Sequence, residues 1–363
     1  MLSHLRRWSI SLVGVLLAVV VAGCGGGAST SQPPPSPAPV PFRTEVFLPN
    51  LSFPVTMAFA PDGRLFFNEL VTGRVRIVQG GVLQAQPFAI LPVQTDGERG
   101  LLGLAFDPQF ASNRFVYVYY SDSSGVHRLV RFTDFNGVGQ NFTVLVDQLP
   151  SAQIHNGGNI GFGSDGKLYL TMGENGNPAN SQDPNVRPGK ILRYNSDGTV
   201  PADNPFGAGN PAFAIGLRNS FDFAFHPQTG TIYASENGPT CDDELNRIVA
   251  GQNYGWRPSY PCGDTDPNFT APLIRFNNPS IAPTGVAFYT GNVFPQFTGS
   301  LFMVDFNTGR VRRFVVNESA GGQITTNEIV VDGGFGQLLD IVQGPDGFIY
   351  FSSTTAIMRI VPQ

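Results

Sequence analysis

A two-part pattern recurs six times along this chain, and nothing else in the sequence restricts its architecture as much. The first part is an apolar stretch, a turn rich in Pro, Asp or Gly, and a β-rich run. It reads AFAPDGRLFFNE at Ala58–Glu69, AFDPQFASNRFVYVYY at Ala105–Tyr120 and GFGSDGKLYLTMGE at Gly161–Glu174. It returns as AFHPQTGTIYASE at Ala224–Glu236, FPQFTGSLFMVDF at Phe294–Phe306 and QGPDGFIYFSS at Gln343–Ser353. The second part follows each copy: GRVRIV (Gly73–Val78), HRLVRF (His127–Phe132), GKILRY (Gly189–Tyr194), LNRIV (Leu245–Val249), GRVRRFVV (Gly309–Val316) and AIMRIV (Ala356–Val361). In most of these, apolar residues alternate with Arg, as in a strand with one buried and one wet face. Units of about 40–50 residues with several strands each are what a β-propeller requires. The pattern predicts an all-β chain folded as a six-bladed β-propeller. A pair of β-sandwiches gives no reason for the same motif six times.

Composition agrees. Charged residues are 13% of the chain, about half the share in an ordinary soluble domain, while Gly (43) and Pro (30) are plentiful. Few charges and many turn formers suit numerous short strands, and 30 Phe within 41% apolar residues provide a large core. A net charge of −5, without a basic run, argues against a nucleic-acid partner.

The beginning of the chain reads as a leader. Arg6 and Arg7 precede an apolar run from Ile10 to Ala22, short of the ~20 residues of a membrane span and typical of a signal peptide. Val21-Ala22-Gly23-Cys24 resembles a bacterial lipobox, which implies cleavage after residue 23 and lipid on Cys24. The expectation is an exported protein, lipid-anchored to the cell envelope (the outer membrane or periplasmic face in a Gram-negative organism), with the anchor as its only membrane contact. Residues 24–41 are Gly/Ser- and then Pro-rich and read as a semi-rigid tether, leaving 42–363 for the propeller.

Three segments carry more small and polar residues than strand turns need. They are Asp96–Gly103, Ile154–Asn159, and the pair Gly216–Asn219 with Ser235–Asn246. His155 is followed by Asn156-Gly157-Gly158, where backbone or a ligand can come close. A His at a channel mouth serves as a general base near neutral pH, and a structural loop histidine is the other reading. His127, in the repeated Arg-bearing strand, and His226, at a turn position, read as structural. Glu236, Asp242, Asp243 and Glu244 crowd nine residues that also hold Gly238-Pro239. Carboxylates with exposed carbonyls suit a hard cation such as calcium, and a solvated acidic turn is the alternative. Arg218-Asn219 presents a guanidinium fork for a carboxylate. Cys241 and Cys262 are the cysteines left once Cys24 takes lipid, and in an exported protein they are expected as a disulfide.

Together these segments resemble the soluble PQQ-dependent aldose dehydrogenases of the glucose/sorbosone dehydrogenase family. The stretches that carry the resemblance are GERGLLGLAFDPQF, HNGGNIGFGSDGKLYLTMGE, PGKILRYNSDGTVPADNPF, GLRNSFDFAFHPQTG, SENGPTCDDELNRIVAGQNYGW and IAPTGVAFYTGNVFPQFTGSLF, in order from about Gly97 to Phe302. The resemblance implies a six-bladed propeller with calcium and the quinone PQQ at the channel mouth. It implies that His155 takes the proton of the anomeric hydroxyl of an aldose while hydride passes to PQQ. Arg218 and Asn219 would contact PQQ, and Glu98 falls where the family can place a Gln against the cofactor. Gly238 and Pro239 would offer carbonyls to the catalytic calcium. Asp243, Glu244 and Tyr254 would belong to a neighbouring calcium loop. The partners implied are a small aldose and a respiratory electron acceptor.

One departure bears on this. Tight PQQ binders of the family can add a Lys after the LF strand of the fifth copy and an Arg-x-Arg before the final Asp-Gly turn. Here the corresponding stretches are Met303–Asn307 and Gly336–Asp340, which contain no cation. A tricarboxylate short of positive partners binds weakly. A different class of function therefore stands beside the enzyme: a lipid-anchored, non-catalytic propeller with a degenerate PQQ site, binding carbohydrate or a protein partner, as the propeller of hedgehog-interacting protein does. A calcium-dependent, lactonase-like hydrolase is a third.

Overall fold

Each copy of the motif folds as consecutive antiparallel strands, because its Gly- and Asp-bearing turns reverse the chain between runs of period two. The computed structural model describes residues 38–277 and 279–363. The leader, Cys24 and the first part of the tether lie outside the described residues. Six separate sheets form, five of them from strands consecutive in sequence, one of these extended to five strands, and the sixth from the last three strands and the first. The six innermost strands are Pro54–Phe59, Leu101–Phe106, Ile160–Phe162, Ser220–Phe225, Pro283–Phe288 and Leu338–Gln343, opening blades 1 to 6. Neighbouring inner strands pack side by side around a central channel. This is the predicted six-bladed β-propeller.

The ring closes through both ends of the chain. Phe42–Leu48 pairs antiparallel with Ile357–Pro362 and completes blade 6 as its outer strand. The folded unit begins at Ala38, four residues before the expected start of the propeller. Val40 exchanges two hydrogen bonds with the Gln296 side chain, and the Pro41 carbonyl accepts from the Gln363 N–H, so the last prolines of the expected tether lie on the propeller.

The core lies between blades. Tyr117 and Tyr119 of blade 2 pack with Leu168, Leu170, Leu192 and Tyr194 of blade 3, all of them buried. In blades 1 and 2 the Phe66 ring meets Phe88 and Phe106 edge-on at 5.3 and 5.0 Å. Such edge-to-face pairs add to plain area burial. No helix among the described residues exceeds four residues in α form, and none is long and apolar enough to cross a membrane.

Five of the six inner strands carry a bulge near their start, which frees backbone N–H groups toward the channel. Side chains of other blades take two of them. Asp340 of blade 6 accepts the Met57 N–H of blade 1, and Asp222 of blade 4 accepts the Val286 N–H of blade 5 at 2.7 Å. Both aspartates are buried. Loops at one channel mouth bring together the segments singled out from the sequence.

Candidate active site at the channel mouth

His155 sits in a loop between blades 2 and 3 with φ of 57°, a left-handed conformation that a side-chain-bearing residue adopts only when held. Glu98 holds it: its Oε2 accepts the His155 N–H at 2.7 Å and lies 3.4 Å from both Asn156 N and Asn219 Nδ2. The adjoining chain approaches closely at Gly173, where a Cβ would lie 2.2 Å from the His155 carbonyl oxygen. Only glycine fits there. Asn156 is fully buried, and its Oδ1 accepts from His127 Nε2 at 2.9 Å. Burial pushes the His127 pKa down to about 4, so this second histidine stays neutral and supports the loop.

The His155 ring donates from Nδ1 to Glu174 Oε1 at 2.6 Å. Glu174 is almost wholly buried and its Oε2 has no hydrogen-bond partner among the described residues. That bond fixes the ring and leaves Nε2, which has no protein partner among the described residues, to take a proton. The His155 side chain keeps 13% of its surface exposed, so a substrate can reach it.

Arg218 and Asn219 arrive from the start of blade 4. Asn219 is buried, and its Oδ1 accepts the Gly157 N–H at 2.9 Å, tying the two loops together. The Arg218 carbonyl accepts the Glu174 N–H at 2.7 Å. Its guanidinium lies 5.3 Å from the Trp256 ring centroid and donates to the Asn237 carbonyl at 2.8 Å. Burial works against its charge, while nearby Glu236, Glu174, Glu98 and Asp243 favour it. Glu236 turns its carboxylate onto the backbone of this corner, accepting from Arg218 N at 2.9 Å and from Asn219 N and Ser220 Oγ.

Two adjoining cavities share Asn237 in their walls. The larger, about 290 Å³, opens at the channel mouth, with Glu98, Asn219 and Asn237 facing a wall that includes Phe53, Val55, Phe221, Phe306 and Leu339. The smaller, about 20 Å³, lies among Arg218, Glu236, Gly238, Pro239, Asp242, Glu244, Tyr254 and Trp256. In it, the buried Asp242 Oδ1 has no hydrogen-bond partner among the described residues, and burial pushes the Glu244 pKa up to about 7. Gly238 is tightly placed, since a Cβ there would lie 2.0 Å from the Cys241 carbonyl oxygen.

The predicted metal residues divide. Gly238, Pro239 and Glu244 line the small cavity, whereas Asp243 is committed elsewhere. Asp243 Oδ1 accepts from Gly238 N, and its Oδ2 accepts from Ser280 Oγ, Ile281 N and Ala282 N at 2.7–3.0 Å. These bonds clamp the loop and set Asp243 outside the lining of the small cavity, with Oδ1 accepting one hydrogen bond. Tyr254 reaches the cavity, but its hydroxyl donates to the Arg247 carbonyl and accepts from Val249 N, leaving its backbone carbonyl as the oxygen to offer. The carboxylates facing the cavity with Glu244 are Asp242 and Glu236. No group of three or more His, Cys, Asp or Glu among the described residues is arranged to hold an ion, so an ion here would depend on backbone carbonyls as well. Cys241 and Cys262 are joined, and the neighbouring Asp242 Oδ2 accepts from Tyr260 OH and Gly263 N.

The oxygens of the small cavity are of the type a hard cation takes, but Asp242 Oδ1, which has no hydrogen bond, lies 3.9 Å from Arg275 Nε, and the same Nε meets Glu244 Oε1 at 3.4 Å, so an ion would share both carboxylates with Arg275. Arg218, Asn219 and Asn237 fit one edge of an anionic planar ligand. The opposite wall of the larger cavity offers such a ligand no cation among the described residues, in keeping with the departure found in the sequence.

Comparison with known proteins places these features in a family. The family model described as Glucose / Sorbosone dehydrogenase matches residues 51–360. Aldose sugar dehydrogenase YliI of Escherichia coli is 28% identical over 349 residues, covering 88% of this chain and 93% of that protein. Quinoprotein glucose dehydrogenase B of Acinetobacter calcoaceticus is 32% identical over 255 residues, 59% of this chain and 52% of that one. The solved PQQ-bound aldose sugar dehydrogenase of Streptomyces coelicolor superimposes with a TM-score of 0.79 at 27% identity, covering 90% of this chain and all of the other.

Proposed function

Since the chain belongs to the glucose/sorbosone dehydrogenase family, we propose that it oxidises an aldose at the anomeric carbon to the lactone, using PQQ and calcium. The observation that carries this reading is the His155–Glu174 pair, with a free Nε2, in loops hydrogen-bonded to Arg218 and Asn219. His155 Nε2 accepts the proton of the anomeric hydroxyl. Glu174 holds the ring in the productive tautomer and stabilises the imidazolium that forms. Glu98 keeps His155 in its strained backbone conformation, and one of its oxygens is left to accept from a sugar hydroxyl. PQQ, when bound, supplies the hydride acceptor, and calcium polarises it. Arg218 and Asn219 would hold the cofactor at its anionic edge. Carbonyls of Gly238 and Pro239 would hold the ion, with Asp242, Glu244 and Tyr254 in the wall behind them. A cavity with one cation at its edge binds a tricarboxylate more weakly than one lined with several.

The same reading includes export, a lipid anchor on Cys24 and electron transfer to a respiratory acceptor. Its support is the leader, the Pro-rich segment and the chemistry of the family reaction, which needs an acceptor for two electrons.

The test is calorimetric titration of the calcium-loaded protein with PQQ, followed by an aldose and a reducible dye. Binding, with turnover that His155→Ala lowers by about 10²–10⁴-fold, is the expected result. No heat and no turnover from a folded protein would overturn it and leave a propeller that binds a carbohydrate or a protein without quinone chemistry.

A further inference from the structure

Lys190 is fully buried, and among the described residues no acidic side chain lies within ion-pair distance of it, the charge of Asp183 acting on it from farther off. Its three donors all go to backbone carbonyls: Asn180 at 2.6 Å, Pro188 at 2.8 Å and Ser181 at 3.3 Å. A charge buried without a contacting counter-ion is costly, so the arrangement needs a reason beyond packing.

We propose that Lys190 is a positioning residue for the His155 base, its caged ammonium holding in shape the 174–188 loop that carries Glu174. This inference rests on the dehydrogenase reading above for the identity of the base.

Register supplies the first argument. Lys190 opens the strand Lys190–Tyr194, where it pairs with Met172 on one side and Ile215 on the other. Met172 is followed by Gly173-Glu174, and Ile215 by Gly216-Leu217-Arg218. Lys190 therefore stands between the two strand ends from which the site departs.

The loop itself supplies the second. It spans 174–188 with one helical turn, Ala179–Gln182, and otherwise irregular backbone whose carbonyls need partners. The ammonium collects three of them. From this fixed segment Asn180 Nδ2 donates to the Glu174 carbonyl at 3.0 Å, and Ser181 Oγ donates to the Leu217 carbonyl at 2.6 Å. Gln182 Nε2 donates to the Trp256 carbonyl at 2.6 Å. One cation thus braces the loop that meets Glu174, the residue before Arg218, and the ring beneath Arg218. Burial pushes the Lys190 pKa down to about 8, which leaves it charged at neutral pH.

The experiment uses selective ¹⁵N-histidine labelling of the full chain, which has four histidines. The low-field Nδ1–H resonance of His155, assigned with His155→Ala, reports its bond to Glu174 without requiring turnover. In Lys190→Met this resonance is expected to shift or broaden away while those of His127 and His226 stay. With cofactor and aldose, kcat is expected to fall about tenfold with KM within about twofold. An unchanged His155 resonance in a merely less stable Lys190→Met protein would overturn the proposal. Asn180→Ala keeps the cage, whose acceptor there is backbone, but removes the link to Glu174. Should Lys190→Met fail to fold, a displaced His155 resonance in Asn180→Ala supports the proposal, and an unmoved one overturns it. If the wild-type protein turns over no aldose, the dehydrogenase reading falls while the resonance still decides whether Lys190 positions His155.

Discussion

Glu174 Oε1 and His155 Nδ1 lie 2.6 Å apart, the carboxylate buried and the imidazole partly open to solvent. A buried carboxylate in this position selects the tautomer with a free Nε2. Glu174→Gln keeps the shape and removes the charge. Steady-state kinetics should show kcat falling by about 10²-fold or more, with Kd for PQQ little changed. A variant retaining nearly full turnover would deny Glu174 this role.

Leu339 lines the channel-mouth cavity within the stretch where family members can carry cations. Leu339→Arg should tighten PQQ binding by about tenfold, the worth of one charge-assisted contact of about 1.4 kcal/mol. Fluorescence titration measures this directly. Unchanged or weaker binding would mean that the ligand is not seated against this wall.

Asp222 and Asp340 give the channel an unusual pH dependence. Burial pushes the Asp222 pKa up to about 6 and raises that of Asp340, which also feels the charge of Asp222. The folded state therefore holds a proton that the unfolded chain releases near pH 4. The contribution is most favourable below that pH and is lost as pH rises through about 6. Asp222→Asn cannot ionise, so the Tm difference between pH 4.5 and 7 should be more negative for the wild type than for the variant. Equal differences would show that Asp222 titrates normally.

The Cys241–Cys262 bridge closes a separation of 21 residues beside Asp242. Replacing both with Ser should cost about 3 kcal/mol by loop-entropy reasoning and should weaken calcium binding by freeing the Asp242 loop. Denaturant titration with and without calcium separates the two effects. If calcium protects the variant as strongly as the wild type, the bridge does not shape the ion's site.

The architecture was legible because the same strand–turn–strand chemistry recurs at regular intervals, and no other fold class repays six copies. The site was legible where unusual residue types stand in glycine-rich loops, as His155 and Arg218 do. Glu174 was missed although three copies of the motif end in Glu at positions 69, 174 and 236, because an acid at a strand end has many uses. Asp243 reads like a ligand from its neighbours, and that its Oδ2 accepts three hydrogen bonds from residues 280–282 is visible only in the fold. Lys190 looked like any charged residue of an amphipathic strand. Its burial depends on a loop whose path the local sequence does not dictate. His127 was rightly read as structural, but its support of Asn156 required the fold to be seen.

The closure of blade 6 has a consequence for how the molecule is made. Arg359 donates to Glu45 across 314 residues of chain, so Phe42–Leu48 has no strand partner until Ile357–Pro362 has been made. The toroid cannot be finished piecemeal as the polypeptide grows. Its first strand stays unpaired until then, and a chain cut before Ile357 would leave an open arc.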